Sequence, residues 1–479
     1  MLGLLVLLLT FLICVFPIQS NDLFMYLAVG NYRDLHGHFP ILDPFIYSIP
    51  GETLYWHHHW LGALIYFWVE KFFTLDGVIF FKALLILGFP LLALGQIRKY
   101  ANKNDLQKAF GYFLILLALF ISSYRFIERT SLFSDLLTCL VLFIGLRERN
   151  QKPKWMWALP LIFALWINLH PGFPVGIFLV GFFWLFEREL WAKKIRSPKF
   201  LILGLSILAL LTNPEGWHGI AYPLLFSLNQ GQIYKHYYFE WLPAYSSIYR
   251  STPEALGFFL LTTISLGVTF LKGRRDSYRD SRLLLIFFFI AVGMSAVRFL
   301  NVASFALVIL CLDFEALFQK QYHLRWMPKA IAIVLVGLIL KISFLGYQTS
   351  SGPRHLSLGI DPHLFPIQLA TTYEQAHLTG NIFNSHEFGD YLAWRWSGDP
   401  KIFFHGAVLN TDFYLHDYLQ AAASPEEFDR LSEKYHWTVL FVSRYEHPDP
   451  FFQILSKKPE WRQGAEDESG FLFFKRPEH

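Results

Sequence analysis

The chain has 479 residues, of which 54% are hydrophobic and only 16% charged. Soluble globular proteins carry about 25% charged residues, so this composition excludes an ordinary soluble fold for most of the chain and indicates a membrane protein. The small formal net charge of +4 excludes a strongly basic nucleic-acid-binding protein, because the basic residues lie in loops between apolar runs.

The first apolar run covers residues 1–18 and contains no charged side chain. It reaches the length of about 18 residues at which a helix can span a bilayer. A secretory signal peptide is the alternative, but the run lacks a basic start and a small-residue cleavage site. We therefore predict a signal-anchor helix. The three cysteines, Cys14, Cys139 and Cys311, all lie in apolar runs, which favours buried thiols over disulfides.

The charges of the loops set the predicted topology. The apolar runs predict about eleven membrane-spanning helices, and loops rich in Lys and Arg alternate with loops that have few. Positive loops stay in the cytoplasm, so this alternation places residues 347–479 on the non-cytoplasmic side, after a transmembrane domain of residues 1–346. The basic clusters lie at 98–108, 147–154, 188–199, 272–282 and 320–329.

The stretch 60–73 is apolar but breaks this alternation if it crosses the membrane, since every later loop would then change sides. We therefore predict an interfacial or half-inserted helix there, within one long first external loop, 19–76. The prediction for the whole chain is an α-helical polytopic bundle in the inner (plasma) membrane, with a small external α/β domain at the C-terminus.

The first external loop opens with a helical pattern over residues 21–36. Apolar residues share one side and polar residues the other, which is typical of an amphipathic helix lying on a membrane surface. Asp22 lies where the first helix leaves the bilayer, and a carboxylate there could act as a general base. The alternative is a helix N-cap, a role that Ser20, Asn21 and Asp22 all suit.

Three consecutive histidines, His57 to His59, invite interpretation as metal ligands. Consecutive side chains diverge by about 100° on a helix, and no spaced carboxylate accompanies them. The sequence therefore contains no clear ligand set for a divalent metal, and no other cofactor is indicated. The flanking residues Trp56 and Trp60 favour an aromatic belt at the membrane interface.

Arg125, Arg129 and Arg298 lie in short external turns, where the charge rule disfavours them. An anionic ligand such as a lipid phosphate would explain them, because arginine binds phosphate through two parallel hydrogen bonds. Pairing with Glu128, or contact with ordinary lipid headgroups, is the alternative. The aromatic-rich external segment 213–252 suits sugar stacking or interfacial anchoring.

The C-terminal residues predict a small α/β sheet, because short apolar strands alternate with helices. No glycine-rich phosphate loop and no G-x-S-x-G motif occurs there, so the sequence gives this domain no catalytic role. The predicted strands are 380–385, 401–406, 438–443 and 470–476, and the predicted helices are 386–396 and 425–436.

The stretch 21–62 resembles the first external loop of bacterial multispanning proteins related to the GT-C superfamily of membrane glycosyltransferases. The segments NLHPGF, NPEGW, EWLP, RFLN and NSHEFGDYLAW also resemble short motifs of that group. The matching residues of the loop are Asp22, Gly30, Gly37, Pro40, Asp43, Pro44, Phe45, Trp56, His58, Trp60 and Leu61.

Two positions depart from the pattern. His59 stands where the group has a glutamate, and residues 405–407 read His-Gly-Ala where the group often has Asp-Gly-Arg. In addition, Asp22 is a single acidic residue rather than one of a pair, which puts a metal-dependent mechanism in doubt.

The resemblance implies transfer of a sugar from a polyprenyl-phosphate-linked donor to an acceptor on the non-cytoplasmic face. It makes Asp22 the catalytic candidate and Arg129 or Arg298 the candidates for the lipid phosphate. We add His58, His170 and Glu240 as candidate substrate-binding residues. The implied partners are the lipid-linked donor and membrane lipids, without nucleic acid.

Two other functions stay open at this point. A transporter or flippase for a lipid-linked saccharide is one, although no internal repeat is evident and most charges lie near the ends of the spans. A non-catalytic membrane protein with an external binding domain is the other.

Overall fold

The computed structural model describes residues 1–54, 56–98, 105–149, 151–186, 195–229, 239–276, 281–313, 324, 326–446 and 448–476. Residues 230–238, which belong to the aromatic segment predicted to suit sugar stacking, lie outside this range, as do parts of the predicted basic loops.

Helices dominate the chain up to residue 345. They are α1 (Leu2–Cys14), α2 (Asn21–His36), α3 (Trp60–Ile97), α4 (Asp105–Ser122), α5 (Ser131–Glu148), α6 (Leu159–Leu169), α7 (Phe173–Leu185), α8 (Pro198–Ala209), α9 (Trp217–Asn229), α10 (Pro253–Asp276), α11 (Arg282–Ser295), α12 (Leu300–Asp313) and α13 (Met327–Leu345).

Strands and helices alternate in the C-terminal part, as predicted. They are β1 (Tyr347–Thr349), β2 (Gly352–Arg354), α14 (Ile367–Gln375), β3 (Asn381–Asn384), α15 (His386–Trp396), α16 (Pro425–Tyr435), β4 (Trp437–Ser443), α17 (Pro448–Leu455), β5 (Trp461–Glu466) and β6 (Gly470–Lys475).

Several helices have the length and composition of membrane spans. A bent pair, Pro198–Thr212 and Trp217–Leu228, meets at 90° and would add one more if it formed a single span. The chain is a multi-pass membrane protein, and the number of about eleven spans stays a prediction. Within the described residues, the four long apolar helices are Trp60–Ile97, Asp105–Arg125, Pro253–Phe270 and Met327–Leu345.

The chain forms two compact units. The first, which we call the helical unit, contains Met1–Phe16, His57–Gly62 and Ile79–Leu358. The second, the α/β unit, contains Pro17–Trp56, Ala63–Val78 and Gly359–His479. Most of the predicted first external loop therefore packs in the same unit as the C-terminal sheet.

Helix α3 is interrupted at Thr74, whose φ of 63° and ψ of −178° are not helical. The residues from Ala63 to Val78 pack within the α/β unit, and those from Ile79 onward within the helical unit. The interruption lies close to residue 76, where the sequence predicts the end of the first external loop. The interfacial position of 60–73 stays a prediction.

Helix α2 has the predicted bounds, but its surroundings differ from those of a helix lying on lipid. All residues from Leu23 to Gly30 are buried, so protein covers this half of the helix on every side. One neighbour is Phe67, whose ring would overlap a Cβ atom placed at Gly30. Leu35, an apolar residue near the end of the helix, is 74% exposed. Protein thus buries the first half of α2, and only its end has an exposed apolar side chain.

The α/β unit contains a four-stranded sheet in the order β3-β4-β6-β5. Strands β3 and β4 are parallel, whereas β6 is antiparallel to both of its neighbours. Strand β4 is central and buried along almost its whole length, which explains its continuous apolar run from Val439 to Val442. Three of the four predicted strands correspond to β3, β4 and β6.

The strand predicted at 401–406 is wrong. Its residues Phe403 and Phe404 donate their backbone N–H groups to the side chain of Asn384, at 2.9 and 3.3 Å. A side-chain amide thus takes the place of a neighbouring strand, and the segment forms only an isolated bridge between Ile402 and Ile46. Buried backbone donors need a partner, but that partner need not be a strand.

The first loop is held within the α/β unit by Asp43. Its Oδ2 lies 2.7 Å from Nε2 of His405, and both side chains are almost fully buried. Its Oδ1 accepts the N–H of Phe45 at 2.9 Å, which closes a turn at the Asp-Pro-Phe motif. This part of the resemblance therefore has a structural role.

An ion pair is fully buried in the helical unit. Nζ of Lys82 lies 2.6 Å from Oε1 of Glu128, and both side chains are 0% exposed. The same ammonium group lies 3.6 Å from the centroid of the Phe16 ring. A buried charge without its partner is strongly unfavourable, so each member makes the other tolerable in this environment.

Arg354 is a second cation in contact with the Phe16 ring, and its side chain is also buried. Its guanidinium carbon lies 4.0 Å from the ring centroid. The group donates hydrogen bonds to the backbone carbonyls of Ser123 and Tyr124. Arg354 therefore fixes the backbone of the turn that immediately precedes Arg125.

We predict that Lys82→Met lowers the free energy of unfolding by about 3–5 kcal/mol, because it removes the ammonium group that pairs with the buried Glu128 carboxylate. Thermal unfolding of the purified protein in detergent measures the effect. The double variant Lys82→Met/Glu128→Gln should recover most of the loss.

Lys71→Met is the matched control for this prediction, since Lys71 pairs with Asp34 at 2.7 Å but both side chains are more than 40% exposed. An exposed pair contributes about 0–1 kcal/mol. Equal losses for Lys82→Met and Lys71→Met would contradict the importance of burial.

Candidate functional site

Three short 3₁₀ turns of the helical unit carry the charged residues of the candidate site. Arg125 ends the turn Ser123–Arg125, Glu240 occupies the middle of Phe239–Trp241, and Arg298 occupies the middle of Val297–Phe299. The first of these turns directly follows α4 and the third directly precedes α12, so the ends of these helices position Arg125 and Arg298.

The three predicted arginines converge on a single carboxylate. Oε2 of Glu240 lies 2.5 Å from Nη1 of Arg125 and 2.8 Å from Nη1 of Arg129, and Oε1 lies 3.1 Å from Nη1 of Arg298. We call these four residues the arginine cluster. Three guanidinium groups meet one carboxylate, so the cluster is positively charged.

The ion-pair partner that Arg125, Arg129 and Arg298 share is Glu240, whereas the sequence suggested Glu128 as a possible partner. Glu128 forms the buried ion pair with Lys82. Burial opposes the ionised form of Glu240, but Arg129, Arg125 and Arg298 hold the pKa of this carboxyl well below its usual value. Glu240 is therefore a carboxylate at neutral pH.

His170 follows α6 and is half-buried beside the cluster. Its Nδ1 accepts the N–H of Gly172 at 3.1 Å and lies 2.8 Å from Oγ of Ser134. The Ser134 oxygen accepts the indole N–H of Trp166 at 2.7 Å, so its own hydroxyl proton is available for Nδ1. This network places the ring proton of His170 on Nε2.

Burial lowers the pKa of His170 well below its usual value, and the positive charges of Arg298 and Arg125 lower it further. The imidazole is therefore neutral at physiological pH and acts as an Nε2–H donor.

A series of aromatic contacts connects His58 to the arginine cluster. The His58 ring stacks on Tyr222 at 4.4 Å, and Phe226 follows at 5.8 Å from Tyr222. Trp241 lies 6.1 Å from Phe226, and the guanidinium of Arg298 lies 4.2 Å from the Trp241 ring centroid. The helical unit thus places His58 at one end of an apolar surface and Arg298 at the other.

The short motifs of the resemblance meet one another in the helical unit. Oδ1 of Asn168, from NLHPGF, accepts the indole N–H of Trp60 at 2.7 Å and an amide N–H of Asn213 at 3.3 Å. Asn301, from RFLN, donates to the carboxylate of Asp135. NLHPGF, NPEGW and Trp60 of the first loop therefore meet although they are far apart in sequence, and RFLN contacts α5 through Asp135.

Asp22 lies in the other unit, in the first turn of α2. The N-cap of this helix is Ser20, and it forms no side-chain capping hydrogen bond, so the capping alternative is not supported at Ser20. Asp22 is inside the helix rather than at its cap. Its charge acts on His386 at the start of α15. Burial lowers the pKa of His386 to about 4, and His405 lowers it as well, whereas Asp22 opposes this shift.

Sequence reasoning missed His386 and the polar group around it in the α/β unit. The backbone N–H of His386 donates to the hydroxyl of Tyr418 at 2.5 Å, and that hydroxyl donates to Glu446 at 2.5 Å. The neighbouring Glu387 accepts the hydroxyl of Ser443 at 3.0 Å. These residues lie on different elements, so no sequence spacing connects them.

In the described part of the chain, no group of three or more His, Cys, Asp or Glu side chains has an arrangement that would hold a metal ion. Of the predicted site residues, Arg129, Glu240 and Arg298 are in direct contact, and His170 and His58 are connected to them. Asp22 belongs to the α/β unit, where its charge acts on His386.

The buried carboxyl group of Glu446 is expected to make the stability of the fold depend on pH. Burial raises its pKa to about 7, and the nearby Glu387 raises it as well, while the Tyr418 hydroxyl opposes them. Because the pKa of Glu446 is higher in the folded than in the unfolded state, the folded protein binds the proton more tightly. The stability due to this proton is present at low pH and is lost as the pH rises through 7.

We therefore expect Glu446→Gln to flatten the fall in melting temperature between about pH 4.5 and 7.5, measured by thermal unfolding across that range. Glu433→Gln on α16 is the control and should leave the pH profile unchanged. A parallel profile for Glu446→Gln and wild type would show that Glu446 does not titrate in this range.

No protein-family model and no curated protein matches this sequence. Among solved structures, the chain is similar to ArnT from Cupriavidus metallidurans bound to undecaprenyl phosphate. The TM-score is 0.55 at 13% identity, over 98% of this chain and 96% of that chain. The likeness shows that the two chains share a fold, which agrees with the predicted resemblance at the level of the fold.

Proposed function

We propose that this protein is a membrane glycosyltransferase that moves a sugar from a lipid-phosphate-linked donor to an acceptor on the non-cytoplasmic face. The observation that carries the proposal is the arginine cluster, in which Arg125, Arg129 and Arg298 surround Glu240. The fold likeness to ArnT, a protein whose structure contains undecaprenyl phosphate, agrees with a polyprenyl phosphate donor.

The arginine cluster suits a phosphate ligand for reasons of charge. A guanidinium group presents its N–H donors in one plane, a geometry that matches the oxygens of a phosphate. The excess positive charge of three guanidinium groups around one carboxylate would attract the phosphate of the donor. Glu240 keeps the arginines together before the ligand arrives, so binding would require little rearrangement.

The proposed reaction assigns Asp22 as the general base. The acceptor hydroxyl oxygen attacks the anomeric carbon of the donor sugar, and its proton passes to the Asp22 carboxylate. The bond between the anomeric carbon and the phosphate oxygen breaks, and the lipid phosphate leaves with the electron pair. The arginine cluster stabilises the negative charge that develops on this leaving group.

The first test is Asp22→Asn, which keeps the shape of the side chain but removes the base. We expect sugar transfer from lipid-linked donors in membranes to fall by about 10²–10⁴-fold, the usual contribution of a general base. Unchanged transfer would remove Asp22 from the mechanism. Asp34→Asn is the matched control on the same helix, because Asp34 forms an exposed ion pair with Lys71.

The same assay separates transfer from transport. A flippase would move a labelled lipid-linked saccharide across the bilayer of proteoliposomes without forming a new glycosidic bond. Product formation that depends on Asp22 supports the transferase, whereas translocation without product supports the flippase.

The second test concerns the lipid phosphate. We expect Arg298→Gln to weaken binding of undecaprenyl phosphate by about tenfold or more, since a hydrogen bond to a charged group contributes about 1.5–3 kcal/mol. Binding is measured on the purified protein by native mass spectrometry. Arg250→Gln is the control, because Arg250 is an exposed arginine of the same predicted external segment.

Equal affinities of wild type and Arg298→Gln, with equal melting temperatures, would contradict the assignment of the phosphate to the arginine cluster. Arg298→Lys keeps the charge but loses the planar group, so it should restore binding only in part.

A further inference from the structure

The α/β unit contains a cleft that the proposed reaction does not use. Its volume is about 500 Å³, which lies within the range of ligand pockets. Helix α2 contributes Asn31, the first part of α3 contributes Glu70, and α15 contributes Tyr391, Trp394 and Arg395. The remaining walls come from Ile360, Ile367 and Ser397.

The guanidinium group of Arg395 is fixed on one wall of the cleft. It donates from Nε and Nη2 to the two carboxylate oxygens of Glu374, at 2.7 and 2.8 Å. It also donates to the hydroxyls of Tyr391 and Thr371, each at 3.0 Å. Hydrogen bonding from Arg395 lowers the pKa of Glu374, so the pair is ionised and its charges cancel.

This compensation determines which ligands the cleft favours. Arg395 is neutralised by Glu374, so the side chain on the cleft wall that carries an uncompensated charge at neutral pH when ionised is the carboxyl group of Glu70. Nothing there resembles the positive excess of the arginine cluster. A phosphate or another anion would meet Glu70 without a compensating cation, so an anionic ligand is disfavoured.

Two side chains on the cleft wall have unused hydrogen-bonding groups. Within the described residues, Asn31 and Glu70 have no hydrogen-bond partner, and both are partly buried. Asn31 offers an amide donor and acceptor, and Glu70 offers two acceptor oxygens. Partly buried polar groups favour a ligand that supplies matching hydroxyl groups.

Trp394 supplies an aromatic surface at a fixed orientation. Its ring lies 5.1 Å from the Phe24 ring and 5.8 Å from the Tyr391 ring, and both of these neighbours are buried. The indole itself stays partly exposed on the cleft wall. The negative face of an aromatic ring attracts the polarised C–H groups on one face of a pyranose.

We propose that this cleft binds a neutral saccharide, with Trp394 stacking on a sugar ring and Asn31 and Glu70 hydrogen-bonding its hydroxyls. The combination of an aromatic plane, an amide, a carboxylate and a charge-compensated arginine matches an uncharged polyhydroxylated ligand. The inference concerns binding in the α/β unit and is independent of the lipid phosphate and of sugar transfer.

The test uses the full chain in lipid nanodiscs and measures saturation-transfer-difference NMR with four neutral probes: maltotriose, mannotriose, galactotriose and N,N′,N″-triacetylchitotriose. We expect at least one probe to bind. Trp394→Ala and Glu70→Gln should each weaken that binding by about tenfold or more, which corresponds to about 1.4 kcal/mol. Tyr445→Ala is the control, because Tyr445 is an exposed aromatic residue of the same unit but not of the cleft.

Three results would overturn the proposal: no probe binds, the bound probe is unaffected by both cleft variants, or Tyr445→Ala weakens binding as much as Trp394→Ala. Glu70→Gln preserves side-chain volume, so it keeps the test valid even if Trp394→Ala disturbs packing against Phe24. Binding that persists in Asp22→Asn separates this proposal from the proposed transferase activity.

Discussion

The attraction of Glu240 for three arginines is the interaction on which the candidate site depends. Like charges repel strongly where water is scarce, so Arg125, Arg129 and Arg298 would not gather in a membrane protein without a shared partner. A single carboxylate reduces the repulsion but does not remove the positive excess. The cluster is therefore stable enough to form and still attracts an anion.

Buried interactions in the helical unit fix the backbone that carries part of this cluster. Two interactions fix the turn between Tyr124 and Arg129. Arg354 donates to the backbone carbonyl of Tyr124, and Glu128, which is part of the turn, pairs with Lys82. Both interactions involve permanent or paired charges in places that exclude water, where rearrangement is unfavourable. The turn that carries two of the three arginines is thereby kept in one conformation.

The sequence predicted the bounds of local elements well and their partners poorly. Helix α2 and the α/β pattern follow from periodicity, and the arginines attracted attention because they violate the charge rule. The partner of those arginines, Glu240, is a binding candidate from the sequence, but the sequence does not pair it with them, since more than 100 residues separate it from Arg125 and Arg129.

The segment 401–406 shows the same limit. Its composition fits a strand, but the side chain of Asn384 accepts hydrogen bonds from its backbone donors. Strand β5 was missed because it is mostly exposed and lacks an apolar alternation.

The arginines of the two units differ in the number of carboxylates that pair with them, and the two units therefore favour ligands of different charge. In the helical unit three arginines share one carboxylate, which leaves positive charge for a ligand. In the α/β unit Arg395 has the bidentate partner Glu374, which leaves a neutral donor framework beside an aromatic ring. A phosphate gains most from the first arrangement, and an uncharged saccharide loses least in the second, because its hydroxyls need hydrogen bonds but no counter-charge. The helical unit thus carries an arrangement suited to an anion, and the α/β unit carries a separate one suited to an uncharged glycan.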